Sequence, residues 1–274
     1  MGEHETWFSL LPGFKNLEAA IGHQLGKSVL DNEPVGHLGH VATALLAFAL
    51  ILFFAVSYRK KLDAAGDGGV VPASHFGPRA VVEIVGEAAL SIMAGVMGEK
   101  AARRFLPLIG SLAFFILFSN LLGLVPGFTP PTDNLNTTVA CASIIFVATH
   151  AYGVAEHGLP YFKHFLGPVW WLAPLMLPIE LVSHLARPMS LSLRLMGNMM
   201  GDHKVLGIFL GLVPLLVPLP IMALGIIVCI VQTLVFCLLS TVYISMAIEH
   251  HEGEHEHDDG HGHVDHGQAQ AHAH

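Results

Sequence analysis

From Leu38 to Tyr58 the chain carries no Asp, Glu, Lys or Arg, and comparable apolar stretches return several times before residue 250. About twenty such residues in a row form a helix long enough to cross a hydrocarbon core roughly 30 Å thick. Inside that core no water satisfies backbone N–H and C=O groups, so each stretch must close its hydrogen bonds within itself. A helix does so; an open strand does not. The chain therefore reads as an all-α, polytopic membrane protein. Composition supports this: of 274 residues 53% are hydrophobic and 12% charged, with mean hydropathy +0.60. A soluble domain of this size would need many more charges to cover its surface.

The opening Met1-Gly2-Glu3-His4-Glu5 is acidic and lacks the basic region of a secretion signal, so no cleavage is expected. Met1-Gly2 with Thr6 fits the myristoylation pattern, but a chain already held by several spans has no use for that anchor. Cys141, Cys229 and Cys237 all fall in apolar runs. Cys229 and Cys237 would stand about 12 Å apart on one helix, too far for a disulfide, so all three read as small core residues. The formal charge of −8 comes mostly from the C-terminal tail and speaks against a nucleic-acid partner.

Three regions follow: a mildly acidic N-terminal segment (1–37), a membrane domain (38–250) and a His/acidic tail (251–274). The first span, Leu38 to Tyr58, is closed by Arg59-Lys60-Lys61 and a Gly/Asp linker, Ala64 to Gly69. Val81, Ile84, Val85, Ala88, Ile92 and Val96 then recur at helical spacing, with Glu83, Glu87 and Ser91 on another face. That pattern predicts an amphipathic helix lying in the interface. Lys100, Arg103 and Arg104 precede a second span, Phe105 to Val125. A Pro/Gly/Asp/Asn loop, Pro126 to Asn136, leads to a third span, Thr137 to Ala155. Beyond a bend with Lys163, apolar stretches run from Pro168 to Val213 and from Pro214 to Ile248. The expectation is five membrane-inserted helices plus the interfacial one. Basic residues favour the cytoplasmic side, which puts the clusters at 59–61 and 100–104 inside. The N-terminus is then outside and the C-terminus in the cytoplasm.

The last two stretches are too long to stand upright. From Pro188 to Val213 alone a helix would measure about 39 Å against a core of about 30 Å. Either the segment tilts, or Pro174, Pro178 and Pro188 break it.

This segment also carries Glu180, His184, Arg187, Arg194 and Asn198, at offsets that share one helical face. A charge at the middle of a membrane helix costs about 2.5–3.5 kcal/mol on insertion scales, so it marks a polar cavity or a charged partner. Arg187 sits near the predicted inner end, where it can snorkel to the interface and pair with Glu180. Arg194 lies seven residues deeper with no carboxylate within one turn. Its counter-charge must come from another helix or another protein. Ser190, Gly197 and Gly201 beside it are small, and Gly197 and Gly201 form a G-x-x-x-G pair that permits close helix approach. Gly207 and Gly211 form a second pair. Gln232, Ser240 and Tyr243 are sparse polar positions on the last span.

The run Pro188-Met189-Ser190-Leu191-Ser192-Leu193-Arg194-Leu195-Met196-Gly197-Asn198 resembles the signature of subunit a of F-type ATP synthases. Pro178-Ile179-Glu180-Leu181-Val182-Ser183, Gln232, and Phe118-Ser119-Asn120-Leu121-Leu122-Gly123 through Gly127 also look like that family, as does Thr241 to Ala247. The resemblance covers roughly residues 40–250. It implies a proton-translocating, non-catalytic stator subunit without cofactors. Its implied partners are the lipid bilayer, a ring of c subunits and b-type peripheral stalk subunits. Two offset half-channels would meet the ring near Arg194. Burial raises the ring carboxylate's pKa by up to about 3–5 units. An arginine about 4 Å away favours the anion by about 4 kcal/mol at an effective dielectric of 20, or about three units. The two effects are comparable, so Arg194 can release the proton without trapping the carboxylate. By the same resemblance Asn198 and Gln232 line the site, and Glu180 and Ser183 lie toward the cytoplasmic half-channel.

One departure stands out. Many family members carry a glutamate five residues after the asparagine and a histidine seven residues before the glutamine. Here those positions hold His203, preceded by Asp202, and Gly225. His203, helped by Asp202, is expected to relay protons in the inlet half-channel, with Gly225 leaving room for water beside it.

Other readings rest on the histidines. His251-Glu252-Gly253-Glu254-His255 matches a zinc-protease pattern, yet it sits in a Gly-broken acidic tract rather than a stable helix. A divalent metal-ion transporter is the alternative function, motivated by the tail and by Glu180 and His184. It asks for ligands converging at mid-membrane, where the deep residue is an arginine that repels cations.

Overall fold

In a computed structural model the described residues are 39–65, 77–158, 173–212 and 218–249, with Trp7, Gly13, Phe14, Asn16 and Ala20 before them. The rest of the N-terminal segment, most of the Gly/Asp linker, the bend with Lys163, residues 213–217 and the His-rich tail lie outside them. The described chain is helical: α1 (Gly39–Ala65), α2 (Pro78–Gly123), a 3-10 turn (Pro131–Asp133), α3 (Leu135–His157), α4 (Ala173–Leu212) and α5 (Pro218–Glu249). No strand occurs among the described residues.

Among the described residues four helices are long and apolar enough to cross a membrane: Gly39–Asp63, Pro78–Gly123, Leu135–Glu156 and Pro218–Ile248. The expected fifth, α4, does not qualify on composition, because Glu180, Arg187, Arg194, Asp202 and Lys204 interrupt it. It has the length: 40 residues, or about 60 Å. Pro178 and Pro188 lie inside this one helix, so of the two options raised by its length, breakage at the prolines is not what happens. Pro174 falls at its second position, where a missing N–H costs nothing.

α2 joins two elements that the pattern separated. The expected interfacial helix and the second span form one 46-residue run, with Gly98 at non-helical φ 78 and ψ 158 inside it. An L side chain rarely adopts that backbone and glycine does so readily, so the chain turns there, just before Lys100, Arg103 and Arg104. Upstream of the turn the apolar stripe is not what is buried. Ala80, Ala89 and Met93 are buried instead, while Ile84 is exposed. Arg79 pairs with Glu83 at 2.6 Å, and Arg103 with Glu99 at 2.7 Å.

The core gathers Phe105, Ile109 and Ile116 of α2, Cys141, Ala142 and Ile145 of α3, Leu191 and Leu195 of α4, and Phe236, Cys237 and Ile244 of α5. The three cysteines are free and buried, as expected of small core residues. Asn134 caps α3, its side chain accepting from the Asn136 amide at 2.9 Å. In the loop before it, the Thr132 hydroxyl donates to Asn120 Oδ1 at 2.6 Å in a buried bond between the turn and α2. Trp7 ties the N-terminal segment to the same loop, its indole N–H donating to the Pro126 carbonyl at 2.8 Å. At the other end of the bundle Arg104 reaches Glu156 at 3.5 Å and lies against the Phe105 and Tyr152 rings.

Candidate functional site

Two faces of α4 diverge around Arg194. Leu191, Leu195 and Met199 are buried against the bundle. Ser190, Leu193, Arg194, Gly197 and Gly201 are exposed on the other side. A methyl group built on Gly197, Gly201, Gly207 or Gly211 would meet nothing within 4 Å. Among the described residues, nothing stands where a side chain at either G-x-x-x-G pair would begin. Among the described residues Arg194 makes no ion pair and no hydrogen bond.

The polar residues of α4 do not act as a single stripe. Asn198 turns to α5 and donates from Nδ2 to Gln232 Oε1 at 2.8 Å, which brings together two of the residues carried over by resemblance. Glu180 and His184 pair with each other, Oε1 to Nε2 at 3.2 Å. Glu180 thus has His184 as its partner, not the expected Arg187. Arg187 lies over the Tyr243 ring of α5, 5.6 Å from its centroid. Ser183 is exposed.

Toward the C-terminal half of α4 the buried polar atoms lose their partners. Asp202 Oδ2, His203 Nδ1 and Gln232 Nε2 are buried and bond to nothing in the described chain. Asp202 faces the Asn120–Asn198–Gln232 group across α2, α4 and α5. Gly225 does not open the expected space. A side chain at that position would run into Leu124, which fills the gap that would otherwise hold water beside it.

Sequence reasoning missed two residues. Asp133, in the 3-10 turn, lies within electrostatic range of His203, Lys204 and His40. Burial raises its carboxyl above the usual range, while His203, Lys204 and His40 pull it back down. Its Oδ1 is buried without a partner in the described chain. An acid in a proline-rich loop between two spans was the available signal. The second is His150 on α3, whose ring stands 5.3 Å from that of His184, centroid to centroid. A lone histidine in an apolar span was its signal. Among the described residues no three of His, Cys, Asp or Glu gather as a metal site would require.

Comparison with known proteins places these features in a family. The family model described as ATP synthase A chain matches residues 41–245. The chain is 51% identical over 224 residues to "ATP synthase subunit a 1" of Syntrophotalea carbinolica, covering 82% of this chain and 92% of that one. It is 44% identical over 237 residues to "ATP synthase subunit a" of Citrifermentans bemidjiense, covering 86% and 96%. It is 46% identical over 218 residues to "ATP synthase subunit a" of Bdellovibrio bacteriovorus, covering 79% and 94%.

Proposed function

The chain belongs to the ATP synthase A chain family, and from that premise we propose that it is the proton-conducting stator of the F-type membrane sector, with Arg194 at the rotor interface. It is a multi-pass membrane subunit of a larger complex. The metal-transporter alternative is not favoured, since the relatives are named as ATP synthase subunits.

One observation carries the reading. Arg194 stands on the open face of α4 with no partner in the described chain, next to glycines that leave the backbone bare. An uncompensated arginine in a hydrocarbon environment is too costly to keep without an external anion. A c-ring carboxylate passing close to the bare face supplies one, and the glycines let its helix approach. Each ring carboxylate gives up its proton at Arg194, and the fixed positive charge blocks a direct leak between half-channels. The arrangement of residues supports an inlet along the C-terminal half of α4. Buried polar groups are normally hydrogen-bonded, and here Asp202, His203, Gln232 and Asp133 each hold a buried atom with none, as in a channel that water enters. His203 relays protons there with Asp202 and Asp133 beside it. Asn198 and Gln232 fix the site beside Arg194, while Glu180 and Ser183 belong to the cytoplasmic side. The basic clusters at 59–61 and 100–104 mark that side, b-type subunits brace the stator, and the chain itself performs no catalysis.

Arg194→Ala in the intact synthase tests this. ATP synthesis in vesicles should be abolished while the ring still co-purifies, with a passive proton leak opened. Arg194→Lys should rescue poorly, because lysine lacks the planar fork of donors and gives up its proton more readily when desolvated. An assembled Arg194→Ala complex making ATP near the normal rate overturns the proposal.

A further inference from the structure

We propose that the proton's outlet to the cytoplasmic side runs through a histidine pair, His150 of α3 and His184 of α4, and leaves by Glu180. This rests on the stator reading above and adds the residues that would carry the outward step.

A cavity of about 20 Å³ lies between α3, α4 and α5, room for a single water. His150, His184, Arg187, Thr149 and Tyr243 are among the residues that line it. Its position suits an outlet. Glu156, six residues beyond His150 on α3, pairs with Arg104 in the basic cluster, about 9 Å away by helical rise. His184 is ten residues from Arg194, about 15 Å along α4. The cavity therefore lies between the basic end of the bundle and the rotor-facing arginine.

Hydrogen bonds fix which nitrogens work. His150 Nδ1 is 2.8 Å from the Phe146 carbonyl. A carbonyl only accepts, so Nδ1 carries the hydrogen and Nε2 is the basic nitrogen. His184 Nε2 is 3.2 Å from Glu180 Oε1. A carboxylate accepts, so Nε2 carries the hydrogen and Nδ1 is basic. A proton delivered through the cavity binds one of these basic nitrogens. At His184 the new bond is Nδ1–H and the broken one is Nε2–H, whose proton passes to Glu180 Oε1. The imidazole ends neutral in its other tautomer, the carboxylic acid releases the proton to water, and water-mediated transfer from Nδ1 back to Nε2 restores the starting tautomer. The His184 side chain is 13% exposed and that of Glu180 35%, so Glu180 is the more open end of the pair. The groups facing His184 are Glu180 and Arg187 on its own helix, His150 on α3 and Tyr243 on α5.

The test uses the complete synthase in vesicles, with ATP synthesis and proton flux followed against the pH on the ATPase side. Wild-type flux should respond to that pH across the range where imidazoles titrate, about 5 to 8. His184→Gln keeps a donor for Glu180 but cannot take up a proton. It should lower flux at least about tenfold and remove the response. His150→Gln should blunt the response in the same direction. Glu180→Gln should also slow flux and remove the response. Ring co-purification checks assembly, and Arg194→Ala runs in parallel. Wild-type flux and an unchanged pH response in assembled His184→Gln and Glu180→Gln complexes overturn the outlet route. If Arg194→Ala abolishes synthesis in that same experiment, the stator reading survives the loss. If Arg194→Ala is also silent, the stator reading itself has failed.

Discussion

Leu195 and Gly197 lie two residues apart on α4 and belong to different surfaces. Leu195 is fully buried against α2, α3 and α5, and Gly197 has nothing within 4 Å of where a side chain would begin. Some glycines elsewhere are packed instead. At Gly123 a methyl would meet Pro130 and Met199, and at Gly225 it would meet Leu124. One set of glycines is spent on packing within the chain. Gly197 and Gly201 stay open beside an arginine that has no partner in the described chain. A small residue in a membrane helix thus says only that something comes close; the neighbours decide whether that something is the same chain.

The sharpest way to break this comparison is to fill the open face. Gly197→Leu adds a side chain where this chain has space, so its own fold should be intact. The bulk should instead keep the ring helix away, and ring co-purification together with ATP synthesis should be lost. A variant that retains both shows that nothing approaches Gly197. The contrasting change, Gly225→Leu, meets Leu124 and should disturb the α2–α5 contact itself.

A smaller effect separates the two faces energetically. Leu195→Ala empties a fully buried site and should cost about 2–5 kcal/mol, seen as faster amide exchange across α2, α4 and α5 in the purified complex. Leu193, 49% exposed on the open face, should cost the chain's own fold about 0.5 kcal/mol or less when cut to alanine. Equal exchange in the two variants would erase the distinction between faces.

How much of this was legible beforehand follows from what each signal depends on. Helix positions rest on runs of apolar residues and loop punctuation, which are local. So Thr137 to Ala155 falls within Leu135–His157, and the division before Lys100 coincides with the turn at Gly98. The identity of Arg194 as a residue without a local counter-charge was legible for the same reason. Partners were not. Whether Glu180 meets Arg187 or His184 depends on side-chain direction within one turn, which helical offsets alone do not fix. The crowding of Gly225 by Leu124 comes from a contact across two helices a hundred residues apart in the chain. His150 gained meaning only when α3 packed on α4 and brought His184 opposite it. Asp133 likewise depended on the loop folding back toward His203. Residues whose roles are set by tertiary contact were the ones that sequence spacing misassigned or passed over.

The smallest expected effect comes from the second arginine. Arg187 and Arg194 are seven residues apart on one helix, two turns, and an offset rule puts them on one face. Their surroundings differ. Arg187 is partly buried over the Tyr243 ring, a contact worth about 0.5–2 kcal/mol. It also lines the cavity with His150 and His184. It therefore has partners inside its own chain and needs none from the rotor. Arg187→Ala should lower ATP synthesis only a few-fold, leave ring co-purification unchanged and open no passive leak. Measured beside Arg194→Ala in the same vesicles, the two variants should differ in kind, since only one removes the barrier between half-channels. If Arg187→Ala instead leaks protons as Arg194→Ala is expected to, both arginines guard one barrier, and the separation of α4 into a self-satisfied end and an open middle is wrong.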